Sequence, residues 1–184
     1  MSQSFDLSEA IEALKKGQTI LFPTDTIWGI GCDATDDKAC QRIMEIKQRP
    51  ETKSFVLLAD SFRMIEHYIP DFPDVCYDLA DYSEKPLTII YPNAKGLAPT
   101  VLAEDGSVGI RLTKDPICLA LIRGLKKPIV ATSANISGEP HPTRFREMHS
   151  EILNGVDVIV KERLEEIRTT PSQIIKIGLA MMML

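Results

Sequence analysis

Ile129-Val-Ala-Thr-Ser-Ala-Asn-Ile-Ser-Gly-Glu-Pro140 is the stretch on which the fold turns. It opens as a short apolar, β-prone run after Pro128, the composition of a buried strand, and within four residues changes to hydroxyl and amide side chains before Gly138 and Pro140. That pattern predicts a strand delivering polar groups to its carboxyl end. In open α/β sheets, ligands bind at that end. Thr132, Ser133 and Asn135 are small and uncharged and can both donate and accept, so they can hold a polar ligand without adding charge. They can equally cap their own turn, as such residues commonly do.

The surrounding composition bounds the answer. The 184 residues, 44% hydrophobic and 26% charged, suit one globular domain over residues 1–184 with a full core. No apolar run approaches a membrane span, and the first residues have no basic flank and apolar core of a signal peptide, so the expected location is the cytoplasm with no membrane partner. Cys32, Cys40, Cys76 and Cys118 are widely spaced with no C-x-x-C pair, which suggests neither a zinc knuckle nor a disulfide framework. A formal charge of −5 argues against coating nucleic acid by bulk charge. Any basic function must be local.

Helix and strand signals alternate along the chain. Asp6 with Glu9 opens a helix that Gly17 stops, and Thr19 to Phe22 is a strand. Thr24, Asp25 and Thr26 follow it, either lining the same mouth as Ser133 or forming an ordinary turn in which Asp25 bonds its own backbone. Gly29-Ile-Gly31-Cys-Asp-Ala34 matches a dinucleotide fingerprint only weakly, because the next helix starts near Asp36 or Asp37, after the motif. That helix must end before Pro50. Its last turn runs into Lys47, Arg49 and Lys53, a cation cluster that either complements the helix dipole or grips phosphates.

Phe55 to Ala59 is a strand, Ser61 caps a helix to Tyr68, Asp71 or Asp74 starts another, and Leu87 to Tyr91 is a strand. Ser107 to Leu112 is a strand with an internal Arg111, which must be ion-paired or face an anionic ligand. Asp115-Pro116 starts a helix running to about Gly124. Thr143 caps one ending near Leu153, and Val156 to Lys161 and Thr169 to Ile177 are strands.

Several chemistries are poorly supported. There is no Walker loop and no G-x-S-x-G, and His67, His141 and His149 have no metal-ligand spacing. A strand-end hydroxyl and amide site, a Lys/Arg cluster and a strand arginine remain. Together they suit a ligand carrying phosphates and a carboxylate.

These stretches resemble the YrdC (TsaC) family of threonylcarbamoyl-adenylate synthases. Pro23-Thr-Asp-Thr-Ile-Trp-Gly-Ile-Gly31 matches P-T-[ED]-T-x-[YW]-G-[LI]-G, and Lys47-x-Arg49 with Ser133-x-Asn135 matches the K-x-R and S-x-N pairs. Pro86-Leu-Thr88, Gly109-Ile-Arg111 and Pro171-Ser172 continue the match in order over roughly residues 7 to 177. The resemblance implies a three-layer α/β fold with a twisted mixed β-sheet flanked by helices, in a short single-domain form.

It also implies a nucleotidyltransferase that joins ATP, L-threonine and bicarbonate into threonylcarbamoyl-AMP, releasing pyrophosphate, with Mg²⁺ accompanying ATP. Partner proteins then transfer the threonylcarbamoyl group to tRNA, which this chain itself would contact weakly. By position, Lys47, Arg49, Lys53, Ser107, Ser133, Asn135 and His141 would meet ATP, with Lys47, Arg49, Ser133 and Asn135 at the centre of catalysis. Thr26, Arg111, Ala131 and Ser172 would meet threonine.

The chain departs from the family in three places. Tyr82-Ser-Glu-Lys-Pro86 replaces W-P-G-P, Leu58 stands where some members have His, and the final seven residues lack the usual Arg near ATP. A noncatalytic RNA-binding protein and a YrdC-like paralogue without this activity are the alternatives. A 6% aromatic content offers few stacking platforms for the former.

Overall fold

A computed structural model describes residues 5–48 and 55–177. In chain order the elements are α1 (Ser8–Lys15), β1 (Ile20–Phe22), β2 (Gly29–Gly31), α2 (Asp37–Lys47), β3 (Val56–Ala59), α3 (Phe62–Tyr68), α4 (Val75–Asp81) and β4 (Leu87–Tyr91). Then come β5 (Val108–Leu112), α5 (Pro116–Leu125), β6 (Ile129–Val130), β7 (Thr132–Ser133), α6 (Ser150–Gly155), β8 (Val158–Ile159) and β9 (Gln173–Lys176). Local chemistry explains several helix starts, though not that of α1, where Asp6 accepts from Ser8 and Leu7 occupies the cap position with no side-chain bond. The Asp36 carboxylate accepts from Ala39 N, the Ser61 hydroxyl from Met64 N, and the Asp115 carboxylate from Ile117 N and Cys118 N, each satisfying helix-start donors that would otherwise be orphaned.

The strands form two mixed sheets, a four-stranded one ordered β7-β2-β1-β8 and a five-stranded one ordered β6-β3-β5-β4-β9. Helices flank them: α1 packs on α5 and β8, α2 on α6, and α5 and α3 on β3. This is the mixed α/β architecture expected, but the strand predicted over 129–133 is divided between the sheets. Val130 N donates to Cys32 O and Ala134 N to Trp28 O, while Ala131 N between them turns away to Val56 O, each at 2.9 Å. The ladder opposite Gly29 to Asp33 thus passes from one sheet to the other at Ala131. Gly31 permits the crossing, since a Cβ there would lie 2.6 Å from Val130 O and 2.7 Å from the Phe22 ring.

As the weak dinucleotide match implied, Gly29 and Gly31 lie within a strand antiparallel to β1. Other expectations are corrected. Thr143 starts no long helix: its N–H and hydroxyl donate to the Glu147 carboxylate, closing one 3₁₀ turn over Phe145–Glu147. The helix that follows is capped by His149, whose Nδ1 accepts from Glu151 N. Helix α5 ends at Leu125, close to the expected end near Gly124, and Ile11 of α1 lies against Gly124, where a Cβ would be 2.6 Å from Ile11 Cδ1. Strand β8 is two residues long, shorter than predicted.

One apolar core gathers Ile20, Phe22, Leu58, Val160 and the facing sides of α1 and α5. The larger one lies under α2, α3 and α6 and contains Trp28, which is fully buried against Phe145. Among the described residues no helix is long and apolar enough to cross a membrane.

Candidate active site

The division at Ala131 opens a cavity of about 220 Å³ between the two sheets, lined in part by Thr24, Thr26, Val56, Arg111, Ala131 and Ser133, with Ser172 just before β9 and Ile174 within it. Of the expected site residues, Thr26, Arg111, Ala131, Ser133 and Ser172 meet here. A larger cavity of about 350 Å³ has Leu87, Ile89, Tyr91, Ile110 and Leu112 among its lining. Strand alternation places these on the sheet face opposite Thr88 and Arg111. The larger cavity is lined by Asp25 but by none of the expected site residues, so the smaller cavity is the candidate.

Arg111 is buried in the middle of β5, with Leu58 of β3 and Thr88 of β4 directly beside it. The ion pair required of a buried strand arginine is made with Asp25: Nη2 donates to Oδ1 at 2.9 Å. Asp25 therefore reaches across to Arg111. Nη2 also lies 3.3 Å from Thr26 Oγ1, and buried Nε has no partner among the described residues. A buried donor left unmade is costly, which favours a ligand oxygen at this fork.

The hydroxyls have assigned directions. Thr24 Oγ1 gives its one proton to Ile27 O at 2.7 Å, so the 3.1 Å contact between Thr24 and Thr26 is donated by Thr26. Thr26 then presents only lone pairs to the cavity, making it an acceptor for a ligand O–H or N–H. Opposite, the Ser172 hydroxyl is 2.8 Å from that of fully buried Thr88.

Lys47 and Asn135 stand behind this wall. Lys47 is only 1% exposed, and its ammonium donates to the main-chain carbonyls of Ser133 and Asn135, the latter at 2.7 Å, and lies 3.4 Å from Asn135 Oδ1. Asn135 Nδ2 donates onward to Ile136 O and Glu139 O. The K-x-R and S-x-N segments are thus physically joined, and the ammonium faces the strand end. Arg49 and Lys53 lie outside the described residues.

Ser107 and His141 do not line the cavity; the Ser107 hydroxyl donates to Asp105 at the start of β5. Sequence reasoning missed Thr88 as a site residue, although a polar position inside the apolar run Leu87–Tyr91 marked it. Among the described residues no group of three or more His, Cys, Asp or Glu is placed to hold a metal ion.

The Sua5/YciO/YrdC family model, described as telomere recombination, matches residues 12–182. The chain belongs to the Sua5/YciO/YrdC family. Curated members of that family include a threonylcarbamoyl-AMP synthase of Acinetobacter baumannii, 35% identical over 140 residues, covering 72% of this chain and 74% of that protein. The synthase of Pseudoalteromonas translucida is 32% identical over 177 residues, covering 95% and 94%.

A crystal structure of P. abyssi Sua5 complexed with L-threonine superposes with a TM-score of 0.81 at 27% identity, covering 92% of this chain and 50% of that one. The chain thus spans about half the length of that Sua5. E. coli YciO, at 24% identity and a TM-score of 0.79, shares the fold of the Sua5/YciO/YrdC family.

Proposed function

We propose that this chain is a threonylcarbamoyl-AMP synthase, a nucleotidyltransferase acting on ATP, L-threonine and bicarbonate and releasing pyrophosphate. The observation that carries this reading is the convergence, in one cavity, of a buried arginine fork, a hydroxyl fixed as an acceptor, and the Ser133 strand end held by Lys47. Those are fittings for a hydroxy amino acid beside a nucleotide. The names of the curated relatives and the threonine bound to P. abyssi Sua5 support the same substrates.

Arg111 would pair with the amino-acid carboxylate, since a planar fork matches it. Thr26 and Ser172 would read the threonine hydroxyl beside Ala131, and a site built to bond a hydroxyl rejects an analogue lacking it by about 10⁴ or more. N-carboxylated threonine would attack the α-phosphate, forming the P–O bond to the carbamate as the bond to pyrophosphate breaks. Such a step depends on positioning and charge stabilisation. Ser133 and Asn135, with Ser107 and His141, would contact ATP, and Lys47 would fix the strand end they occupy while Arg49 and Lys53 neutralise the triphosphate. Mg²⁺ would enter with ATP, held by its phosphate oxygens.

We read residues 1–184 as one YrdC-like domain, acting in the cytoplasm. Its product would pass to partner proteins that modify tRNA, with weak tRNA contact by this chain. The test is pyrophosphate release from ATP and bicarbonate with L-threonine, L-serine or L-valine, with the product identified by mass. Threonine-dependent release of threonylcarbamoyl-AMP is expected. No release from folded protein would overturn the reading and favour the inactive paralogue.

A further inference from the structure

Asp25 has no role in the reading above, yet it is the carboxylate through which the buried Arg111 is held. The two residues are 86 positions apart and are fixed independently. Asp25 sits in a turn closed by its neighbours, with Thr26 N donating to Thr24 Oγ1 and Thr24 Oγ1 to Ile27 O. The Arg111 main chain is fixed by ladders to β3 and β4. The arginine main chain is therefore set by the sheet, and the tip of its side chain is bonded by Asp25, with Thr26 beside it. Because the guanidinium is planar, one firm bond at Nη2 orients the remaining donors as a unit.

We propose that Asp25 is a positioning residue that fixes the plane of the Arg111 fork for the carboxylate of the amino-acid substrate. The inference rests on the amino-acid reading of the site. A purely electrostatic account gives the opposite sign: Asp25 offsets the arginine charge, so removing it would strengthen anion binding. Positioning requires that removal weaken it. Misplacement of a binding group by about 1 Å can cost on the order of 100-fold.

The experiment compares Asp25→Ala and Asp25→Asn with wild type in threonine-dependent pyrophosphate release, alone and combined with Arg111→Ala. The Ala variant is expected to raise the threonine KM roughly 10- to 100-fold while the ATP KM stays within about twofold. The Asn variant keeps an acceptor oxygen for Nη2 and is expected to recover most of the loss. In the Arg111→Ala background, Asp25→Ala is expected to add nothing.

An unchanged or lowered threonine KM in Asp25→Ala, or an equal further loss without Arg111, overturns the inference. If the Ala variant does not fold, Asp25→Ser gives the same readout. Absence of threonine-dependent release in wild type would sink the proposed function; release in wild type with unaltered variants would sink this inference alone.

Discussion

Lys47 Nζ, in the last turn of α2, donates to the main-chain carbonyl of Asn135 at 2.7 Å, joining segments 88 residues apart. The carbonyl of Ser133 accepts from the same ammonium, so one buried cation sets the path of the chain where it leaves β7. A charge this deep is tolerated because oxygens surround it.

Lys47→Met keeps the length of the side chain and removes its donors. The two carbonyls are part-buried, and a buried one that loses its partner costs about 1–3 kcal/mol, so a loss of up to about 3 kcal/mol and a fall in Tm of up to roughly 12 °C are expected. Activity should fall at least about 100-fold, because the strand end no longer has a fixed position. Thermal unfolding by circular dichroism and pyrophosphate release check the two effects separately.

Gly31→Ala tests the crossing between sheets. The new methyl would meet the Val130 carbonyl at 2.6 Å and the Phe22 ring at 2.7 Å, and the first of these is main chain that cannot swing aside. Overpacking of this kind costs about 1–3 kcal/mol. A Tm lowered by roughly 2–12 °C is expected, with expression and solubility falling alongside. An unchanged Tm would mean that the two sheets move apart more easily than their close approach implies.

The thiols should be inert in the folded protein. Burial pushes the Cys118 thiol well up, and its hydrogen-bond contact with Cys40, followed by burial, does the same for Cys32, while burial raises Cys76 to about 11. Raised values keep these groups protonated at pH 8, and the thiolate is the reactive form. All four cysteines are buried. A disulfide exchange reagent at pH 8 is expected to label none rapidly in the native protein and four after denaturation; fast native labelling would show that one of these sites opens.

Turn chemistry made much of this architecture readable in the sequence. Ser61, Asp36 and Asp115-Pro116 cap the helices they announce, and Leu87–Tyr91 is a strand with the predicted bounds. The five site residues that meet in the cavity were nameable by position, through the resemblance of their motifs to the YrdC family. The pairing was not readable. Apolar residues running into hydroxyls look the same in one strand as in two, so the break at Ala131 carries no local signal.

The partnership of Asp25 with Arg111 was equally hidden, since an aspartate after a strand has ready local partners and only the fold brings the distant one closer. The inward direction of Lys47 was readable in principle. It lies four residues after Ile43, which is fully buried, and so on the same face of α2.

Thr88→Val is expected to separate function from stability. Thr88 is fully buried, and among the described residues its hydroxyl meets that of Ser172, at 2.8 Å. Valine keeps the shape, and removing a buried hydroxyl whose partner still borders the cavity should cost no more than about 1 kcal/mol. The Ser172 hydroxyl, however, loses the contact that orients it, so the bond proposed for it to the threonine hydroxyl would weaken. Activity with L-threonine should fall roughly tenfold while the low activity with L-valine stays the same, narrowing discrimination by that factor. The measurement is the ratio of kcat/KM for the two amino acids. A preserved ratio would mean that Ser172 is oriented by the substrate rather than by Thr88, leaving Thr26 as the residue that reads the hydroxyl.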